Sequence, residues 1–161
     1  MANKKKIAGI LVAVVMVVAA TTYVFITPYN RIAGVRIGGT LTPAPDDFTT
    51  IAEPGIGKIK TGGFPPFVVH VVLVPYEGGF ITATRPDGGY WSARARIAPD
   101  GYARFEDKTF ALKATEIFGE EKYPYLRKWG GEDLDRQMTG GVIVGVAEPL
   151  REWEVFLWTP R

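Results

Sequence analysis

The sequence predicts a mainly β protein, a small closed or partly closed antiparallel barrel with short helices, preceded by one transmembrane helix. Three observations predict it. Lys4, Lys5 and Lys6 stand directly before an almost unbroken apolar run, Ile7 to Ile26, that contains no charge. From Phe67 onward, β-branched and aromatic runs alternate with Gly- and Pro-centred turns, the pattern of strands joined by hairpins. About six or seven such strands, following one another in a single small domain, are most economically closed into a barrel, which removes exposed sheet edges. An all-β sandwich is the structural runner-up.

The apolar run has the length of a bilayer-spanning helix, since about 20 residues at ~1.5 Å rise cover a hydrocarbon core of about 30 Å. Positive charge stays in the cytoplasm, so the lysines place everything after Ile26 on the exported, periplasmic side of the cell membrane. A cleavable signal peptide is the competing reading, with Ala19 and Ala20 near its end. Signal h-regions run about 7–15 residues, however, and here the apolar character persists through Thr21–Ile26 before Pro28 and Arg31. A retained single-pass anchor is the expectation, with Tyr23 and Tyr29 near the outer interface. The resulting organisation is a cytoplasmic basic tail (1–6), an anchor in the lipid bilayer (7–27), an extended Pro/Gly-rich arm (28–55) and a barrel domain (56–161).

Thr27–Pro66 has little periodicity and reads as an arm, from which a short element at Ile56–Lys60 pairs onto the domain edge. Phe67–Val74 is a β-branched run bounded by prolines, hence a buried strand. Glu77-Gly78-Gly79 turns it into a hairpin partner, Phe80–Thr84. Arg85-Pro86-Asp87-Gly88-Gly89 is a turn, because Pro presets φ and Gly permits positive φ. Tyr90–Ile97 is ambiguous: Trp91 and Ala95 share a helical face, yet Ala93–Ile97 also alternates like a strand. Pro99-Asp100-Gly101 turns again, and Tyr102–Phe105 and Lys108–Ile117 form a hairpin across Glu106-Asp107. Gly119–Met138 reads as one or two short helices interrupted at Pro124 and Gly130-Gly131. Val142–Val146 and Trp153–Trp158 supply two final strands.

Composition narrows the chemistry. The formal net charge is +2 with Lys and Arg spread along the chain, which gives nucleic-acid binding no support. Cysteine is absent, removing disulfides, thiol chemistry and Cys-ligated metal. His70 is the only histidine, so neither a typical zinc site nor a choice of general bases is available, and no metal is expected.

The order of elements carries a resemblance. Gly38–Phe48 (GGTLTPAPDDF) precedes a long strand and a Gly-turned second strand; then come Tyr90-Trp91-Ser92-Ala93-Arg94, a Gly-centred hairpin and Lys108–Ala114 (KTFALKA). Over roughly Gly38 to Arg161 this resembles the split-barrel flavin-binding superfamily, the pyridoxamine-phosphate-oxidase-like proteins and deazaflavin-dependent reductases. The resemblance implies a split β-barrel that binds FMN or a deazaflavin at a homodimer interface. The positions most like its cofactor ligands are Thr82, Thr84, Arg85, Ser92 and Arg94, with Trp91 placed to stack on the ring. Arg85-Pro86-Asp87-Gly88-Gly89 stands where those proteins carry a dense Ser/Arg/Lys phosphate cluster, and Asp87 would repel a phosphate. Ala98-Pro99 likewise replaces their Asn-Pro.

Each residue singled out has a plainer role to set beside the sharper one. His70 is either a hydrogen-bonded strand residue or a proton relay. Arg85 and Arg94 either hold a phosphate or are solvated; Trp91 either stacks on a flavin or packs in the core. Glu116, Glu120 and Glu121 lack calcium-loop spacing and read as a solvated helix start. Lys122, Arg127 and Lys128, with Tyr123, Tyr125 and Trp129, suit either a headgroup or partner contact or a helix covering the barrel. The leading expectation is an accessory subunit of a membrane protein complex that has lost cofactor binding. Its anchor would meet other membrane-protein subunits through the small residues Gly9, Ala13 and Ala20. A membrane-tethered flavin- or deazaflavin-dependent oxidoreductase is the alternative.

Overall fold

A computed structural model of the chain describes residues 2–29, 32–86, 88–138 and 148–161. The expected strand Val142–Val146 lies outside the described residues. The first element, α1 (Ala2–Phe25), takes in the lysines as well as the apolar run, since lysine is a good helix former. It stops just ahead of Thr27-Pro28, where the proline ring disfavours helical geometry for the residue before it. From Lys4 to Phe25 it is long and apolar enough to cross a membrane, and no part of its most apolar stretch is buried against the rest of the chain.

The remaining elements build a closed six-stranded antiparallel barrel. Its strands are β2 (Gly55–Thr61), β3 (Phe67–Tyr76), β4 (Gly79–Thr84), β5 (Asp100–Phe105), β6 (Lys108–Ile117) and β9 (Glu154–Pro160). Around the barrel they run β6-β5-β2-β3-β4-β9, and a β6–β9 pairing closes the ring. The length of β6 makes closure possible: Lys108–Lys113 pairs with β5, while Leu112–Ile117 pairs with β9. A two-residue strand, β1 (Thr40–Leu41), runs parallel to the free start of β6. The short pair β7 (Gln137–Met138) and β8 (Glu148–Pro149) lies apart from the barrel.

One expectation changes here. The Ile56–Lys60 segment is no edge: β2 sits between β3 and β5 and pairs with both. The outside of a closed barrel is wet, so Lys58 and Lys60 can point outward from a central strand while Ile59 is fully buried inside. The two short helical elements expected after Gly119 are present: a 3₁₀ turn at Gly119–Lys122 gives way beside Pro124 to α3 (Tyr123–Gly130), which ends at Gly131. The proline sits in the first turn of α3, where a missing N–H costs nothing.

Strand alternation fills the lumen. Ile59, Leu73, Phe80, Phe110, Leu112, Phe156 and Trp158 project inward and are essentially inaccessible. One end is stoppered from the arm: Asp47 caps a 3₁₀ turn at Phe48–Thr50, and Phe48 enters the core edge-on to Phe80 and Phe110, with ring centroids 4.9 and 5.2 Å apart. The other end is covered by α2 (Tyr90–Ile97), whose Trp91 packs 5.1 Å from Phe156. The ambiguity over Tyr90–Ile97 is thus resolved as a helix.

A second apolar cluster lies outside the wall, where α3 and a 3₁₀ turn at Leu150–Glu152 cover the outward faces of β3, β4 and β9. Leu126 and Leu150 are fully buried there, and Trp129 stacks near Trp153. On β3, Val74 is covered by this cluster, and Val68 is fully buried where Gly34 bridges to its backbone. The aromatic and basic residues at 122–129 therefore belong to a helix covering the barrel. Tight hairpins need glycine at one position in particular: Gly79, at φ +148°, lies so close to the Trp158 carbonyl that any side chain would collide with it.

Candidate functional site

The chemistry-bearing side chains gather at the barrel mouth beneath α2. Strand parity explains why. The alternation that sends Phe110, Leu112 and Ala114 inward along β6 carries Glu116 to the rim, and the same parity on β9 delivers Glu154. On β2 it delivers Thr61, two residues beyond Ile59. An apolar lumen thus ends in a polar rim, and two arginines of α2 fasten the helix to it.

Arg94 is buried, at 9% exposure, and its guanidinium is fully committed. Nε donates to Thr61 Oγ1 at 3.1 Å, and one terminal nitrogen to the Tyr90 hydroxyl at 3.2 Å. The other donates to the Gly62 and Pro65 carbonyls, both at 2.7 Å. The planar fork is suited to binding several acceptors at once, and it also lies over the rings of Phe67 and Tyr90. Across the mouth, Arg96 binds Glu116 through two 2.6 Å hydrogen bonds and reaches Glu154 at 2.8 Å. The Glu116 hydrogen bonds, reinforced by Glu154, hold Arg96 well above the usual guanidinium range despite partial desolvation, so it is permanently charged. Nearby, Lys122 donates to the Trp153 carbonyl at 2.9 Å, and burial pulls its ammonium below the usual lysine range.

The six residues proposed as cofactor ligands lie along this end of the barrel, and of them Arg94 lines the cleft beside Phe64 and Tyr90. Thr82 is fully buried in the wall and accepts a 3.0 Å hydrogen bond from Trp158 Nε1. Thr84 donates to the Gly88 carbonyl and Ser92 to the Gly89 carbonyl, both closing the turn into α2. Trp91 faces the lumen, Arg94 is bound to the Thr61–Pro65 loop, and Arg85 is half-buried just after β4. Two clefts flank α2. One, about 270 Å³, lies between Phe64, Tyr90 and Ile97 with Arg94 beneath. The other, about 700 Å³, runs between α2 and β6 and is lined by Arg96, Lys113, Thr115, Glu116 and Phe118. His70 faces outward on β3, opposite Lys58, in a shallow apolar depression with Ile56 and Val72. Among the described residues no three metal-ligating side chains come together.

No protein-family model and no curated protein sequence matches this chain. The Arg96–Glu116–Glu154 cluster was missed by sequence reasoning, because the three residues are brought together by barrel closure rather than by spacing. The one available signal was parity: Glu116 continues the inward phase of Phe110, Leu112 and Ala114, so it was destined for a rim.

Proposed function

We propose that the chain is a membrane-anchored, exported barrel protein that serves as an accessory subunit of a membrane protein complex. The observation that carries this reading is the independence of the two halves. The barrel completes its own core without α1, and α1 presents apolar side chains that the barrel leaves uncovered. Such a helix needs lipid or other helices around it. Lys4–Lys6 favour an N-terminus in the cytoplasm and a barrel outside. The barrel's interior is occupied by its own aromatic residues, so the domain acts through its surface. Purification in mild detergent tests the reading: partner membrane proteins should co-purify, and deletion of the chain should destabilise their complex. A protein that runs alone, and whose deletion leaves every membrane complex intact, contradicts it.

The roughly 700 Å³ groove beside α2 supports a second reading, a tethered flavin- or deazaflavin-dependent oxidoreductase, because it has the volume for a flavin ring beside cationic side chains. The absorbance spectrum of the purified protein, before and after incubation with FMN or a deazaflavin, separates the two.

A further inference from the structure

We propose that the α2-covered mouth of the barrel is a lipid-contacting surface, with Phe64, Tyr90 and Ile97 resting in the interfacial layer of the same bilayer that α1 enters. The inference depends on reading α1 as a membrane anchor and adds how the barrel sits against that membrane.

The connection from α1 to the barrel is short and hydrogen-bonded. The carbonyl of Ile26, one residue past the helix, accepts from the amides of Val35 and Arg36 at 2.8 and 3.0 Å. Gly34, the preceding residue, exchanges two 2.8 Å hydrogen bonds with Val68 at the start of β3. Arg36 also lies over the Phe25 ring, 5.4 Å from its centroid. Two successive strand-like spacings of about 4.8 Å therefore separate the helix exit from β3, roughly 10 Å in all. Val68 is next to Phe67, which pairs with Thr61 at the mouth. The mouth, not the opposite end, is thus held beside the point where the apolar helix stops.

The side chains at that mouth are of the kind an interface takes. Phe64 is 90% exposed, Ile97 86% and Tyr90 57%, and Phe118 at the neighbouring end of β6 is 69% exposed. Exposed carboxylates stand in the far-end loops, at Glu77, Glu106 and Asp107, and at the mouth, at Asp100, so the contrast between the ends lies in the exposed aromatic residues Phe64 and Tyr90. Helix α2 buries Trp91 and Ala95 in the core, but it also buries Arg94 and Ser92 and exposes Ile97 and Tyr90 beside Arg96. Buried polar and exposed large apolar residues are the informative departures from normal partition, and here both occur on one helix facing one way. The buried pair is held by hydrogen bonds to Thr61, Gly62, Pro65 and Gly89, and an apolar outer medium accounts for the exposed pair. A phenol beside aliphatic and phenyl groups matches the chemistry of the headgroup boundary.

The absence of cysteine allows a clean test. The full chain is prepared with single substitutions Ala13→Cys, Phe64→Cys, Ile97→Cys or Glu77→Cys, each labelled with a nitroxide and reconstituted into vesicles of phosphatidylcholine and phosphatidylglycerol. Relative accessibility to oxygen and to a water-soluble nickel complex reports depth. Labels at 64 and 97 should show an oxygen-to-nickel ratio several-fold above that at 77, with position 13 higher still. If 64 and 97 match 77 while 13 reads as hydrocarbon, the barrel stands clear of the lipid and the proposal is overturned with the anchor intact. If 13 also reads as aqueous, the anchor reading itself has failed. If 64 and 97 are aqueous in pure lipid but shielded in native membranes, a protein covers the mouth and the lipid assignment is wrong.

Discussion

Replacing Phe48 with alanine separates a structural plug from a passive arm. Phe48 precedes the first barrel strand by several residues, within a stretch whose Pro, Gly and Thr content suggests a linker. Yet it is fully buried and meets Phe80 and Phe110 edge-on. Truncation removes about 1.5–3 kcal/mol of apolar transfer free energy. Two edge-to-face ring contacts are also lost, each worth about 0.5–1.5 kcal/mol beyond area, and the barrel wall cannot collapse fully into the void. The sum agrees with the ~3–5 kcal/mol usual for Phe→Ala in a core. The assay is urea unfolding of the full chain in detergent, followed by fluorescence of the barrel tryptophans. At a slope of about 2 kcal/mol per M, the midpoint should fall by about 2 M with the slope unchanged. Phe64→Ala is the internal control; at 90% exposure it should move stability by less than ~0.5 kcal/mol. Equal stability of the Phe48 and Phe64 variants would refute the reasoning and return residues 46–54 to the status of a tether.

Other perturbations probe the rim, the hairpins and the plug's cap. Arg94→Lys should cost about 2–4 kcal/mol, because a single ammonium cannot serve Thr61, Gly62 and Pro65 together and leaves buried acceptors unpaired; unchanged stability and unchanged proteolysis within 62–66 would contradict this. Gly79→Ala should cost at least about 2 kcal/mol, since it adds a backbone collision with Trp158 to an unfavourable φ, and near-UV circular dichroism should show the loss of aromatic packing. Asp47 gives a pH signature. Hydrogen bonds from the Thr49 hydroxyl and amide hold its carboxyl below the ordinary carboxylate range. The folded value then lies under the unfolded one of about 3.9, so the contribution is fully present above that pH and is lost as pH falls through the folded value. Asn accepts the same cap bonds without titrating, so wild type should lose more stability than Asp47→Asn between pH 5 and pH 2; parallel acid profiles would show that the cap carries no linkage.

The fold was legible where periodicity and turn chemistry agreed. The Phe67–Val74 run, the Glu77-Gly78-Gly79 turn and the hairpin across Glu106-Asp107 all appear as the strands and turns of the barrel. Segments whose role depends on remote partners were not legible. Ile56–Lys60 was placed at an edge because it emerges from an arm of little periodicity, and its two barrel partners, β3 and β5, lie later in the chain. Phe48 was hidden by its neighbours: one aromatic in a Pro-rich stretch has no period, and only the Asp47-x-Thr49 cap hinted at local order. Pro124 was legible as a break between two short helical elements, because proline favours the first turn of a new helix.

The candidate site was half legible for the same reason. Residues 82–94 were recognised as a cluster worth attention, and they do converge on one end of the barrel. Their inward or outward direction required the three-dimensional parity of six strands. That parity turns Thr82 and Trp91 into core and Arg94 into a fastener of the 62–66 loop; Glu116, read as part of a solvated helix start, lies instead on β6 and with Glu154 forms rim anions bound by Arg96. The ambiguity of Tyr90–Ile97 has the same origin. Reading periodicity assumes that apolar residues face the protein and polar ones face water. A helix that fastens itself to a polar rim with arginine and offers isoleucine and tyrosine outward breaks that assumption, so its period cannot be read until its surroundings are known. α2, which binds the polar rim through Arg94 and Arg96 while Tyr90 and Ile97 face outward, lies at the end of the barrel that the Ile26–Val35 and Gly34–Val68 hydrogen bonds hold beside α1.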